Sequence, residues 1–330
     1  MSKLPLTFAC WNYDRTRRLL EDRIPVDGIA LNYLELPVEE TFFRMLRHHE
    51  FDASEMSLSS YTVTCSQENP PFIAIPVFPS RFFRHSCIYV NADSGIRAPQ
   101  DLKGKRIGTP EFQMTAPVWI RGILSDEYGV QVADAQYFTG GEEQPGRPEK
   151  LKLDLPPAIR VSPIGPAQTL SQMLVTGEID ALYTARMPST YQGGAGQVRR
   201  LFPNFHEVER EYFLRTHIFP IMHTVVIRRD VYQRNPWVAQ SLYKAFALAQ
   251  REIYADLHET GALKFMLPWL LHHVEETERI MGKDFWPYGF AANRHVLETF
   301  LRYHHEQGLS KRLLRPEELF APESLEEFKI

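Results

Sequence analysis

The first eighty residues alternate β-rich and helix-periodic segments, and this alternation most limits the folds open to the chain. Leu4 to Cys10 reads as a strand. The polar turn Trp11-Asn12-Tyr13-Asp14 leads into a helix over Arg15 to Glu21, with Asp14 available as its cap. A second round follows, with a strand over Ile29 to Leu34 and a helix over Pro37 to Arg47 whose Val38, Phe42, Met45 and Leu46 mark one apolar face. Phe51 to Ser57 starts as a short strand and ends in small polar residues, and Phe72 to Val77 is another β-rich run. Strands alternating with helices predict a parallel, helix-covered α/β sheet.

Phe83 to Val90 reads as a further strand, after which Asp101 to Pro110 (DLKGKRIGTP) begins a fresh unit. There Lys105 to Gly108 forms a strand, Thr109 to Thr115 a loop, and Ala116 to Tyr128 a helix that tolerates Pro117 in its first turn. The start of that helix is ready to receive an anion. Residues 139–157 carry the Gly, Pro and charge of an exposed excursion. Leu170 to Thr176 makes a helix ended by Gly177, and Ile179 to Tyr183 makes a strand. Met222 to Arg228 returns as a β-branched strand, and Trp237 to Tyr254 has a clear helical period. The expected organisation is lobe one over residues 1–92 and 222–330, with lobe two, 93–221, inserted. At 330 residues, both lobes are large enough to bury a core and the length leaves room for a ligand cleft.

Charge narrows the partners. Lys and Arg number 37 against 41 Asp and Glu, a near balance that argues against nucleic acid or anionic lipid. The apolar run Leu4 to Trp11 is broken by Pro5 and followed at once by charges, so it does not read as a secretory signal. No apolar stretch approaches the ~20 residues of a membrane span. A cytoplasmic protein is expected, with homo-oligomers open. Cys10, Cys65 and Cys87 include no CxxC pair and read as reduced thiols.

An inserted second lobe with a returning strand resembles the type II periplasmic-binding-protein-like fold, with a two-stranded hinge and here a helical C-terminal extension. DLKGKRIGTP and GEIDALY (Gly177 to Tyr183) carry that likeness. EFQMTAPVWIRGIL (Glu111 to Leu124), FPIMHTVVIRRDVY (Phe219 to Tyr232) and DFWPYGFAANRHVLETFLRYHHEQGL (Asp284 to Leu309) resemble the 4,5-dihydroxyphthalate decarboxylase family. The resemblance implies loss of one carboxylate from a dihydroxylated phthalate, giving 3,4-dihydroxybenzoate (protocatechuate) and carbon dioxide in aromatic catabolism. A non-catalytic cytoplasmic solute-binding protein of the same fold is the alternative.

A small aromatic dicarboxylate calls for guanidinium groups in loops, and Arg15, Arg81 and Arg186 are the candidates. Thr109, Gln113, Met114 and Thr115 lead into the Ala116 helix, where backbone N–H groups and hydroxyls can hold a carboxylate. Ser54 and Ser57 form the matching loop of lobe one. Protonating the carboxylate-bearing carbon needs an acid and a base. Glu55, among apolar neighbours, is a candidate acid kept protonated by desolvation, and His223 has a side chain that titrates in the useful range. Either can take either role. Trp11 and Tyr13 are placed to wall the cleft. Phe285, Trp286 and Tyr288 either stack on a planar ring or plug the lobe. No organic cofactor is expected; a divalent metal held by carboxylate and imidazole is the mechanistic alternative.

Overall fold

A computed structural model of the chain describes residues 2–326. These form two compact units, one comprising residues up to Arg81, Ile221–Leu297 and those from Arg315 onward, the other Phe82–Pro220 and Glu298–Leu314.

Unit one begins with β1 (Leu4–Cys10), α1 (Asp14–Leu20), β2 (Ile29–Glu35), α2 (Val38–His48), β3 (Ala53–Ser57), α3 (Leu58–Cys65) and β4 (Phe72–Arg81). Unit two follows with β5 (Ile88–Asn91), β6 (Arg106–Thr109), α4 (Thr115–Tyr128), β7 (Gln136–Thr139), β8 (Arg160–Pro163), α5 (Leu170–Thr176), β9 (Ala181–Tyr183), β10 (Val198–Arg200) and α6 (Phe205–Thr216). The chain then returns through β11 (Ile221–Arg228), α7 (Arg229–Arg234), α8 (Trp237–Leu257), α9 (Leu270–Met281) and α10 (Arg294–Glu306).

The sheet of unit one has the order β2-β1-β3-β11-β4, with β11 antiparallel to both of its neighbours. Because β1 lies between β2 and β3 and is parallel to both, the chain moves one way through α1 and back through α2. That reversal opens a crevice beyond the carboxyl ends of β1 and β3, where ligands of such sheets gather. One face of the sheet is closed by α8: Leu6, Phe8, Val77, Val225 and Ile227 pack with Leu242, Ala245, Phe246 and Ala249. Phe8 meets Tyr33 and Phe246 edge-on, at 5.1 and 5.3 Å between ring centroids. Each fully buried side chain of this kind contributes roughly 1.5–3 kcal/mol.

The sheet of unit two has the order β10-β5-β9-β6-β7-β8. Here β6 is flanked by parallel β9 and β7, which sets a second reversal beyond Thr109 and Tyr183. The face built from Leu170, Met173 and Leu174 of α5 packs on Tyr89, Leu182 and Val198.

Four expectations are corrected. The Phe83 to Val90 segment is not a continuous strand of lobe one. A 3₁₀ turn at His85–Cys87 redirects the chain, and β5 pairs with β9 and β10 in the second sheet, so the units divide after Arg81 rather than after residue 92. The C-terminal helical extension does not belong wholly to lobe one, since Phe300 and Tyr303 pack on Trp119 of α4. Asp14 is the first residue of α1 rather than its cap, and its carboxylate pairs with Arg15. The 139–157 stretch is no simple exposed loop, because it carries Glu142, Arg147, Glu149 and Lys150 into hydrogen bonds and ion pairs inside unit two.

Candidate active site

Strand geometry brings the central pair together. In the antiparallel ladder Val225 lies opposite Glu55 and His223 opposite Ser57, so Glu55 and His223 are diagonal neighbours on one face. Their side chains meet, with His223 Nδ1 2.6 Å from Glu55 Oε1. The same oxygen accepts the Tyr13 hydroxyl at 2.6 Å. The other oxygen accepts the Trp11 backbone N–H at 3.2 Å and the Cys10 thiol at 3.5 Å. Cys10 ends β1, and Trp11 and Tyr13 form the turn after it, so the sheet reversal delivers three of the four donors to a carboxylate on β3.

This arrangement fixes the ionisation. Glu55 is 0% exposed, and burial alone would hold it protonated as the sequence suggested. Instead the His223 ring, the Tyr13 hydroxyl and the Trp11 N–H outweigh burial and hold the carboxyl below its ordinary range. Burial and the Glu55 charge push the Cys10 thiol and the Tyr13 phenol up, so both stay neutral donors. The expectation of a protonated Glu55 is therefore reversed: Glu55 is the buried anion and His223 the group beside it. Four donors occupy the four lone-pair positions of the carboxylate. The His223 ring is itself held edge-on by Phe42 of α2, at 4.9 Å.

Arg15 lies beside this cluster. Its guanidinium is sandwiched between the Tyr13 and Trp286 rings, 4.2 and 4.3 Å from their centroids. Nε donates to the Pro79 carbonyl at 2.6 Å, and Nη1 to Asp14 at 2.9 Å. Trp286 is fixed by its indole N–H to the Phe78 carbonyl at 2.9 Å. The Tyr288 hydroxyl is buried without a hydrogen-bond partner among the described residues, and the charged groups it senses include Arg15 and Arg81.

Other expected residues of unit one have different work. Ser54 points to the sheet face away from Glu55, as successive strand residues must, and is 0% exposed. The Ser57 hydroxyl accepts from Ser60 N at 3.4 Å, capping α3. Arg81 is buried and donates to the Pro287 carbonyl at 2.7 Å and to Asn293, clamping the Phe285–Tyr288 turn. Phe285 packs edge-on against Tyr254. The Trp11 side chain is 42% exposed at the rim.

In unit two, Thr109 and Gln113 are fully buried and serve Glu111: the Thr109 hydroxyl donates to its carbonyl, and Gln113 Nε2 to its carboxylate at 2.8 Å. Glu111 also pairs with Arg147 at 2.5 Å and with Lys150. Met114 stands at the N-cap of α4 without a side-chain cap, and Thr115 is buried in its first turn. Arg186 is exposed after β9, its N–H donating to the Thr184 hydroxyl at 3.2 Å. Sequence reading missed Glu111, Glu142, Arg147, Lys150 and Thr184, because their partners are 36 to 42 residues away in the chain. Among the described residues no group of three or more His, Cys, Asp or Glu side chains is arranged to hold a metal ion, and no helix is long and apolar enough to cross a membrane.

No family model matches the chain. Two curated relatives do. A 4,5-dihydroxyphthalate decarboxylase of Comamonas testosteroni is 45% identical over 330 residues, all of both chains. Another of Pseudomonas putida is 44% identical over 202 residues, 61% of this chain and 78% of that one. Among solved structures, the alkanesulfonate-binding protein of Xanthomonas axonopodis pv. citri, bound to MOPS, superposes with a TM-score of 0.52 at 14% identity, covering 96% of this chain and 98% of the other. The periplasmic aliphatic sulphonate binding protein of Escherichia coli gives the same score and identity over 97% and 98%. These likenesses show the periplasmic binding protein fold, and identity along the full length to the Comamonas protein shows that the chain belongs to the 4,5-dihydroxyphthalate decarboxylase family.

Proposed function

We propose that this chain converts 4,5-dihydroxyphthalate to 3,4-dihydroxybenzoate and carbon dioxide by protonating the ring, with His223 as proton donor. The observation that carries the reading is the Glu55–His223 contact at 2.6 Å, set at the sheet reversal of a chain that matches a decarboxylase from end to end. In this mechanism the ring hydrogen on His223 Nδ1 is the one shared with Glu55 across the 2.6 Å contact, and Nε2 is the nitrogen that delivers the proton. The proton goes to the carboxylate-bearing carbon while the para hydroxyl oxygen, keeping its own proton, feeds a lone pair into the ring, and His223 is left neutral until solvent returns a proton to it. The bond to the carboxyl carbon then breaks, its electron pair restores the aromatic ring, and carbon dioxide leaves. Glu55 stays charged throughout, orienting the imidazole.

Arg15 has a role suited to a dianion. Nε and Nη1 are spent on Pro79 and Asp14, which fixes the guanidinium plane and turns Nη2 to a substrate carboxylate. Such a bond also stabilises the ground state, so the rate gain must come from the proton donor. The reading is metal-free: a carboxylate whose lone pairs already accept four donors is a poor metal ligand. The test is to follow carbon dioxide and the aromatic product from chelator-treated protein with 4,5-dihydroxyphthalate, then with divalent metal added. Turnover without metal supports the reading. Turnover restored only by metal overturns the metal-free mechanism, and tight binding with no turnover in either case favours a solute-binding protein.

A further inference from the structure

Within unit one, the turn after α9 sets a phenol beside the guanidinium of Arg15. The backbone of this turn is held on both sides of Tyr288. Gln250 of α8 donates to the Trp286 carbonyl, the Trp286 N–H donates to the Tyr254 hydroxyl at 3.1 Å, and Arg81 and Asn293 donate to the Pro287 carbonyl at 2.7 and 3.0 Å. On the far side the Gly289 N–H donates to the Pro76 carbonyl at 2.8 Å. Glycine is needed there, because φ is +91° and a Cβ would lie 2.7 Å from the Tyr243 hydroxyl. So fixed, the turn stacks Trp286 on the Arg15 guanidinium at 4.3 Å and packs the Tyr288 ring against a core that reaches Cys10 at the end of β1.

The Tyr288 hydroxyl is buried and has no hydrogen-bond partner among the described residues. Leaving such an atom unpaired is costly, and native structures seldom do so without a reason. The titratable groups that act on it are Arg15, Cys10, Arg81 and Asp14, all of unit one. Those able to accept are engaged elsewhere: Asp14 Oδ1 takes the Arg15 N–H and Nη1 at 2.7 and 2.9 Å, and the Cys10 thiol is turned to Glu55 at 3.5 Å. Burial pushes the phenol up, so it stays a neutral donor near pH 7. Its missing partner is an acceptor, and the cation beside it favours a negative one.

We propose that Tyr288 and Arg15 form a carboxylate subsite within unit one, the Tyr288 hydroxyl and Arg15 Nη2 donating to the same carboxylate of the substrate. This rests on the dihydroxyphthalate reading and goes further by naming Tyr288 as a residue that selects for a carboxylate. A carboxylate only accepts, and its two oxygens take both donors; a ring hydroxyl would bring a hydrogen of its own toward the guanidinium.

The test compares wild type and Tyr288→Phe by calorimetric Kd for phthalate, which has both carboxylates and no hydroxyl, and for catechol, which has both hydroxyls and no carboxylate. KM for 4,5-dihydroxyphthalate and the melting temperature are measured alongside. The expected result is a phthalate Kd and a KM each raised about 10- to 100-fold, with the catechol Kd within about twofold of wild type. The melting temperature should equal or exceed that of wild type, because the substitution removes an unpaired buried hydroxyl. A lowered melting temperature with both Kd values raised would make the hydroxyl a support of the fold. A catechol Kd that rises while the phthalate Kd holds would put it on a ring hydroxyl, and no change in either would remove it from the site; all three outcomes overturn the inference. Wild-type protein that binds phthalate but releases no carbon dioxide from 4,5-dihydroxyphthalate would instead overturn the decarboxylase reading, with the subsite still decided by the phthalate Kd.

Discussion

Glu55 is charged where no solvent reaches it, so the loss of any donor falls directly on the anion. Tyr13→Phe removes one of two hydrogen bonds to Oε1 and should cost about 1.5–3 kcal/mol at pH 7, read by denaturant unfolding. The sign with pH follows from the depressed Glu55. Its contribution is fully present above the ordinary carboxylate value near 4.3 and is lost as pH falls through the lower folded value, so the penalty should fade only below about pH 4. Glu55→Gln should lower kcat by about 100-fold or more with little change in KM, because the amide no longer orients the His223 ring as a proton donor. Both residues were singled out from the sequence, since the chemistry needs an acid and a base and few candidates sit near strand ends, and the structure brings their side chains together. Their ionisation was not. The donors that decide it come from β1, its following turn and a strand 168 residues away, and no local pattern shows such a convergence.

Elements were read well where periodicity is strong and poorly where composition stood in for contacts. β1 and α5 match their expected bounds, and α8 runs three residues past its expected end. The 139–157 loop misled because Gly, Pro and charge usually mean exposure, yet here Arg147 and Lys150 find Glu111 at the end of a different strand. Helix α4 shows how closely an element can be fitted. A Cβ at Gly122 would lie 2.1 Å from a ring atom of Tyr303, whose hydroxyl is held by Asp126 at 2.6 Å and cannot swing away. Gly122→Ala should therefore destabilise by about 1–3 kcal/mol despite the better helix propensity of alanine. A raised melting temperature would show that Tyr303 yields.

For the molecule as a whole, the second unit is not one continuous insertion. Gln307 bonds Arg121 at 2.7 Å and the Val118 carbonyl at 2.8 Å, and Phe300 and Tyr303 cover Trp119. A fragment of residues 82–220 lacks all of these and should show no cooperative unfolding transition; adding residues 298–314 through a linker should restore one. The chain's five tryptophans are also unequally placed. Trp119 is sealed in a core, Trp11, Trp237 and Trp269 face solvent, and Trp286 lies against the Arg15 guanidinium. A positive charge 4.3 Å from an indole is sensitive to any anion that draws on it. Emission from Trp286 should thus shift as a dicarboxylate is titrated in, and the shift should vanish in Trp286→Phe, giving the protein an optical gauge of occupancy that needs no label.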